Sequence, residues 1–150
     1  LGYVPLVMIA MNVAYAAFAY PAGIAADRVS SRALLLLGLA LLIAADVVLA
    51  LAASPLMALV GSLLWGLHMA FTQGLLAKLV ADTAPAQLRG TAFGIFNLVS
   101  GVALLLASII AGALWSAFGA SATFLAGAIF AAATAFGLLG YRTSPRAVEQ

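Results

Sequence analysis

Long apolar runs with short interruptions are the feature that most limits how this chain can fold. A helix needs about 20 apolar residues to cross the ~30 Å hydrocarbon core of a bilayer. Five runs reach that length, and they are apolar on every side, which is not typical of helices that face water. The sequence therefore predicts five membrane-spanning helices, at residues 4–26, 33–53, 56–80, 91–117 and 122–141.

The composition agrees with a membrane protein and disfavours other classes. Only 7% of the residues are charged, against roughly 25% in a soluble domain. The net charge of +2 is scattered, without the basic cluster of a nucleic-acid-binding protein. The absence of cysteine and the single histidine leave no soft ligand set for zinc, and there is no phosphate-binding loop or Ser–His–Asp set. We predict an all-α membrane protein that is not an enzyme and has no cofactor and no metal.

The basic residues predict the orientation of the helices. Cytoplasmic connections of membrane proteins carry an excess of lysine and arginine. The connections around residues 54–55 and 118–121 carry none. All six basic residues lie in or beside the other connections or after the last span: Arg28, Arg32, Lys78, Arg89, Arg142 and Arg146. We therefore expect these connections and the C-terminus in the cytoplasm, with the protein in a bacterial inner membrane.

A polar elbow at residues 23–32 joins the first two predicted spans. Its residues Gly23, Asp27, Arg28 and Arg32 have the spacing Gly-x-x-x-Asp-Arg-x-x-x-Arg. This spacing resembles the cytoplasmic loop motif of the major facilitator superfamily of secondary transporters, Gly-x-x-x-Asp-Arg-x-Gly-Arg-Arg. Two serines replace the second glycine and one basic residue of that motif.

A second stretch, residues 79–94, is similar to the loop before the eleventh helix of the same superfamily. It contains Asp82, Pro85 and the pair Arg89-Gly90 at about the family's spacing. Members have twelve helices in two halves, and this chain resembles helices eight to twelve, a partial six-helix half-bundle. Because Leu1 lies close to the first span, we interpret the chain as part of a longer transporter. Its implied partners are the lipid bilayer, a missing N-terminal half, a small solute and protons.

The resemblance implies a gating role for the polar connections. We expect Gly23 to allow close approach of backbones, and Asp27 to lie just past a helix end and to contact the start of a helix in the opposite half. The alternative is a topological anchor, in which Arg28 and Arg32 hold the cytoplasmic side. The predicted gating motif comprises Gly23, Asp27, Arg28, Arg32, Asp82, Arg89 and Gly90.

Polar and aromatic side chains inside the spans are the candidates for a substrate path. His68, near the centre of the third span, could bind protons or solute, or could instead be a neutral imidazole bonded to a neighbouring helix. Gln73 lies on another face, so at most one of the two is expected to be central. The full set is Asn12, Tyr15, Trp65, His68, Thr72, Gln73 and Asn97.

For the asparagines and Tyr15 a packing role is the alternative. Small residues four apart, such as Gly90 and Gly94, can let helices pack closely while amides bridge them. Asp46, inside the second span, could couple protons. The resemblance favours a peripheral Asp46 that is protonated or bonded to Ser62.

We therefore predict transport of a small solute by alternating access. The thin and mostly neutral polar inventory indicates an amphipathic or uncharged solute, which the protein could export. The energy would come from an ion gradient, most often of protons, or from the gradient of the solute itself. The alternative is a non-transporting membrane scaffold or assembly subunit.

Overall fold

Helices account for almost all of the computed structural model, which describes residues 4–140. The outer ends of the sequence, including Arg142, Arg146 and the end of the predicted span 122–141, lie outside the described residues. The helices are α1 (Val4–Arg28), α2 (Ser31–Ala50), α3 (Pro55–Thr83) and α4 (Arg89–Gly140), with one 3-10 turn at Ala86–Leu88. The prediction of an all-α membrane protein is confirmed.

The ends of α2 and α3 are set by local sequence signals. Ser30 and Ser54 are N-caps, and their hydroxyls accept hydrogen bonds from Ala33 N and Met57 N, each at 3.3 Å. Pro55 occupies the first turn of α3, where its missing N–H costs nothing. Ala84, which precedes a proline, has extended backbone angles and ends α3.

α4 covers the predicted span 91–117 and, up to residue 140, the predicted span 122–141. It runs for 52 residues and is interrupted only at Gly119, whose φ of 82° and ψ of −178° are not helical. Non-glycine residues essentially never adopt these angles. We call 89–118 the first segment of α4 and 120–140 the second segment. Among residues 4–140, four helices are long and apolar enough to cross a membrane, against the predicted five. The count is four because α4 is counted as one helix, with a one-residue break where a turn at 118–121 was predicted.

The helices pack in the order α1, α3, α2 and the second segment of α4. The close contacts between them occur at glycines. A Cβ on Gly66 would collide with the Met11 carbonyl oxygen of α1, one on Gly61 would lie 2.6 Å from Leu49, and one on Gly127 would lie 2.6 Å from Asp46 Oδ2. Backbones therefore approach where a side chain is absent.

Contacts at the two ends of the bundle show how the chain threads. Ser121 Oγ donates to Ala50 O at 2.8 Å, at one end. Arg32 Nη2 donates to Leu139 O at 2.7 Å, at the other end. The second segment of α4 is therefore antiparallel to α2 along its whole length. The first segment starts beside the end of α3 and reaches Gly119 at the opposite end, so the two segments run in opposite directions.

The outer surface is apolar on every helix. Large exposed side chains include Leu56, Leu98 and Leu104, which are 69%, 68% and 68% exposed. Water would penalise so much exposed apolar surface, whereas lipid or other helices would not. Within residues 4–140, no side chain of the first segment of α4 is buried, and α1 makes no contact with α4.

Candidate functional site at the basic end of the bundle

The described basic side chains gather at one end of the bundle. Arg28 and Arg32 lie at the α1–α2 elbow, Lys78 lies near the end of α3, and Arg89 begins α4. Arg32 reaches the last turn of α4 through its bond to Leu139 O. A cation at this position stabilises the negative end of a helix.

Asp27 forms an ion pair that joins α1 to α3. Lys78 Nζ lies 2.6 Å from Asp27 Oδ1 and donates a second hydrogen bond to Ala26 O at 2.9 Å. Among residues 4–140 this is the single ion pair within 4.0 Å. The side chain of Asp27 is 71% exposed and that of Lys78 is 35% exposed. A pair this exposed contributes only about 0–1 kcal/mol.

Asp27 lies at a position in α1 where a carboxylate is unfavourable unless a cation is nearby. The prediction placed it just past a helix end, but α1 continues through Arg28, so Asp27 lies inside the last helical turn. A carboxylate there faces the negative end of the helix dipole, which is unfavourable by about 0.3–1 kcal/mol. Lys78 offsets this by contacting both the carboxylate and the Ala26 carbonyl.

A cleft of about 420 Å³ opens between α1 and α3 beside the ion pair. Its lining includes Tyr20 and Gly23 from α1, and Gly74 and Lys78 from α3. Nothing lies within 4 Å of a Cβ placed on Gly23 or Gly74. Among residues 4–140 no backbone therefore approaches Gly23 closely, and the expected role of Gly23 stays a prediction.

The second part of the predicted gating motif does not join the ion pair. α3 extends three residues beyond the predicted span, so Asp82 lies in its last turn. The side chain of Asp82 is exposed. Arg89 and Gly90 start α4, both are exposed, and nothing lies within 4 Å of a Cβ on Gly90. Within residues 4–140 nothing lies within 4 Å of a Cβ on Gly94 either, so close helix packing at Gly90 and Gly94 stays a prediction.

Three predicted path residues on α3, Trp65, His68 and Thr72, contact neighbouring helices of the bundle. His68 Nδ1 lies 2.7 Å from Gly38 O of α2, and because a carbonyl only accepts, this nitrogen donates. Thr72 donates to His68 O at 2.9 Å and packs against Gly38. Trp65 makes a T-shaped contact with Phe124 of α4. This arrangement matches the packing alternative for His68.

The remaining path residues do not converge on a shared cavity. Asn12 is exposed, and its amide donates to Met8 O of its own helix at 2.8 Å. Gln73 and Asn97 are exposed, and Tyr15 is half-buried. No described contact brings these residues together, so their roles stay predictions.

Asp46 is a buried carboxyl group at the contact between α2 and the second segment of α4. It is 5% exposed and lies against Gly127. The expected bond from Ser62 is absent in the described structure, because the Ser62 hydroxyl donates to Ala58 O at 2.8 Å. Within residues 4–140, no group of three His, Cys, Asp or Glu side chains is arranged to hold a metal ion.

The mostly apolar exterior, the alternating threading and the basic end together define an integral, multi-pass α-helical membrane protein. Comparisons with known proteins give the family. The Major Facilitator Superfamily matches residues 2–150, and the chain belongs to this family of membrane transporters. Membership favours a transporter over an enzyme.

A curated relative is described as an uncharacterized MFS-type transporter from Methanocaldococcus jannaschii. It is 32% identical over 120 residues, which cover 80% of this chain and 30% of the relative. The chain therefore spans about a third of the length of that relative. No solved structure matches.

Proposed function

We propose that this chain is the C-terminal part of a secondary transporter that moves a small solute by alternating access. In this mechanism two helical bundles move about a central site and open it to each side in turn. The family membership and the MFS-type relative support transport. The unburied first segment of α4 supports a missing N-terminal half as the partner that covers it.

The Asp27–Lys78 ion pair is the observation that carries this proposal. It joins α1 and α3 at the basic end, beside an open cleft, and its exposure makes it weak enough to break and re-form. In our proposal Asp27 binds Lys78 in one state. In the other state it contacts a helix N-terminus of the missing half, where a carboxylate is favoured.

Charge exchange at the pair tests the gate. The Asp27→Asn variant of the complete transporter should insert normally but lose most transport in vesicles. Asp27→Lys and Lys78→Asp should each impair transport. If Asp27 also contacts a helix N-terminus, the double variant with exchanged charges should not recover activity.

The outcomes separate three roles for Asp27. Full recovery in the double variant would limit its role to the ion pair. Unchanged kinetics in Asp27→Asn would remove Asp27 from the gate. Membrane insertion, measured for each variant, controls for a failure to fold.

We further propose that the basic end and the C-terminus face the cytoplasm of a bacterial inner membrane. The positive-inside rule supports this orientation, because the described basic residues lie at the same end. The chain contains no cysteine, so single substitutions provide unique labelling sites. A membrane-impermeant maleimide added outside cells should label Ser54→Cys and not Ser30→Cys, and the reverse pattern would overturn the orientation.

The solute is proposed to be amphipathic or uncharged, moved outward and coupled to protons. The exposed amide side chains in the spans, Asn12, Gln73 and Asn97, are neutral, which supports an amphipathic or uncharged solute. Vesicle transport of a solute panel, with and without a pH gradient, tests solute and coupling together. Transport that ignores the gradient would remove the coupling, and no transport of any solute would favour a scaffold.

A further inference from the structure

We propose that Gly119 and three aromatic side chains form a hinge that sets the angle of the first segment of α4. The aromatic cluster consists of Trp65 on α3, Trp115 before the break in α4 and Phe124 after it. This inference goes beyond transport, because it concerns which part of the chain can move relative to the rest. Its test does not need a transported solute.

The backbone at Gly119 supplies the break. Its φ of 82° and ψ of −178° lie in a region that is essentially restricted to glycine, and no other residue among 4–140 has a positive φ. Nothing lies within 4 Å of a Cβ placed on Gly119. Glycine is therefore required by these backbone angles and not by a lack of space for a side chain.

The aromatic cluster holds the two sides of the break together. The Phe124 ring lies 6.4 Å from the Trp65 ring with an interplanar angle of 87°, and 6.2 Å from the Trp115 ring with an angle of 72°. Both are edge-to-face contacts, which have a preferred geometry as well as an apolar contribution. Phe124, which lies on the second segment, therefore contacts both the first segment of α4 and α3.

Among residues 4–140, the second segment of α4 is bonded to α2 at both ends, whereas the first segment has no such bond. Ser121 and Leu139 tie the second segment to α2 near its two ends. The first segment has no buried side chain, and glycines along it, such as Gly94 and Gly101, have no neighbour within 4 Å of a Cβ. Its other covalent attachment is the short connection 84–88. Within residues 4–140, the Trp115–Phe124 contact is the aromatic contact that crosses the break at Gly119.

A small change of this angle would move the far end of the first segment a long way. At a rise of ~1.5 Å per residue, Gly90 lies about 45 Å along the helix from Gly119, so a rotation of about 10° displaces it by about 8 Å. Arg89 and Gly90, predicted to belong to the gate, lie at this far end. The hinge thus provides a way to move them without disturbing the contacts of α1, α2 and α3.

Distance measurements between two spin labels test the hinge in the chain reconstituted in lipid vesicles. Because the chain contains no cysteine, Leu37→Cys on α2 and Leu98→Cys on the first segment give a unique labelled pair. Both leucines are exposed, at 44% and 68%. Leu98 lies about 30 Å from Gly119 along the helix, so a 10° change moves its label by about 5 Å.

Phe124→Leu removes both aromatic contacts and should broaden and shift the distance distribution by several ångströms. Phe124→Trp should keep a narrow distribution. Phe136→Leu is the matched control, because Phe136 lies on the same segment and is 74% exposed. Gly119→Ala should shift the distribution because alanine does not adopt the observed angles.

Circular dichroism of each variant verifies that the helices are intact. An unchanged distribution in both Phe124→Leu and Gly119→Ala would overturn the hinge. An equal broadening in Phe136→Leu would show that any loss of an aromatic ring loosens the segment, and would also overturn it.

Discussion

The close contact between α1 and α3 at Gly66 gives a direct test of the packing. Alanine at this position would place its methyl group against the Met11 carbonyl oxygen and 3.1 Å from the Ala14 Cβ. A backbone carbonyl cannot rotate away as a side chain can, so the two helices must separate. Overpacking of this kind costs about 1–3 kcal/mol.

Gly74 on the same helix is the matched control. Nothing lies within 4 Å of a Cβ at this position, so alanine meets no neighbour. Both substitutions gain about the same helix propensity, up to ~1 kcal/mol. The difference between the two variants therefore isolates the steric cost, and we expect Gly66→Ala to be less stable than Gly74→Ala by about 1–3 kcal/mol.

The free energy of unfolding can be measured by titrating the detergent-solubilised chain with sodium dodecyl sulfate and following the helical circular dichroism. Equal stability of the two variants, within about 0.5 kcal/mol, would refute the close crossing of α1 and α3. A lower stability of Gly74→Ala would refute the open space beside Gly74 in the cleft.

Two further predictions concern the contacts of α2 with the second segment of α4. Arg32→Gln should lower the free energy of unfolding by about 1 kcal/mol, because the bond to Leu139 O is lost. It should also speed hydrogen exchange in the last turn of α4. The control is Arg28→Gln, at an exposed residue with no described side-chain hydrogen bond, which should change the free energy of unfolding by less than about 0.5 kcal/mol. Gly127→Ala should lower the free energy of unfolding by about 1–3 kcal/mol, because its methyl group would meet the Asp46 carboxyl group. In a double-mutant cycle, adding Asp46→Ala should recover most of that loss. Purely additive effects of the two substitutions would contradict this contact.

Hydropathy predicted where the helices lie, but it did not predict where they end. The predicted spans stop where the residues become polar, whereas the helices continue through Asp27 and Asp82. A helix ends where its backbone hydrogen bonding is interrupted, not where its side chains leave the lipid. The Ser30 cap and Pro85 were visible in the sequence and mark these ends more accurately than hydropathy does.

The spacing of glycines also could not identify the close contacts. Gly90 and Gly94 have the four-residue spacing that often marks helix packing, yet nothing in the described structure lies near them. Gly66, which makes a close contact, has the same spacing with Ser62 and Ala70. The spacing therefore occurs both at glycines that meet a neighbour and at glycines that do not. Which glycine meets a neighbour depends on how the helices are rotated in three dimensions, and this is not encoded in a local pattern.

The missed residue in the candidate site is Lys78. Its contact with Asp27 joins residues that are 51 positions apart, so no local motif contains both. A signal was nevertheless available, because Lys78 is the one lysine in the sequence. The parallel arrangement of α1 and α3, which five alternating spans imply, places it at the same end as the elbow. Pairing charges by their depth along the spans would have predicted the contact.

The contacts of α1 with α3 differ in kind along their length. At Gly66 the contact is steric, and it can be lost only if the helices separate. At Lys78 it is an exposed ion pair worth about 0–1 kcal/mol, which can be exchanged for another partner while the helices stay in place. The cleft lies between these two levels. A conformational change at the basic end therefore requires much less free energy than one at the middle of the bundle, which is the physical reason to place the proposed gate at Asp27.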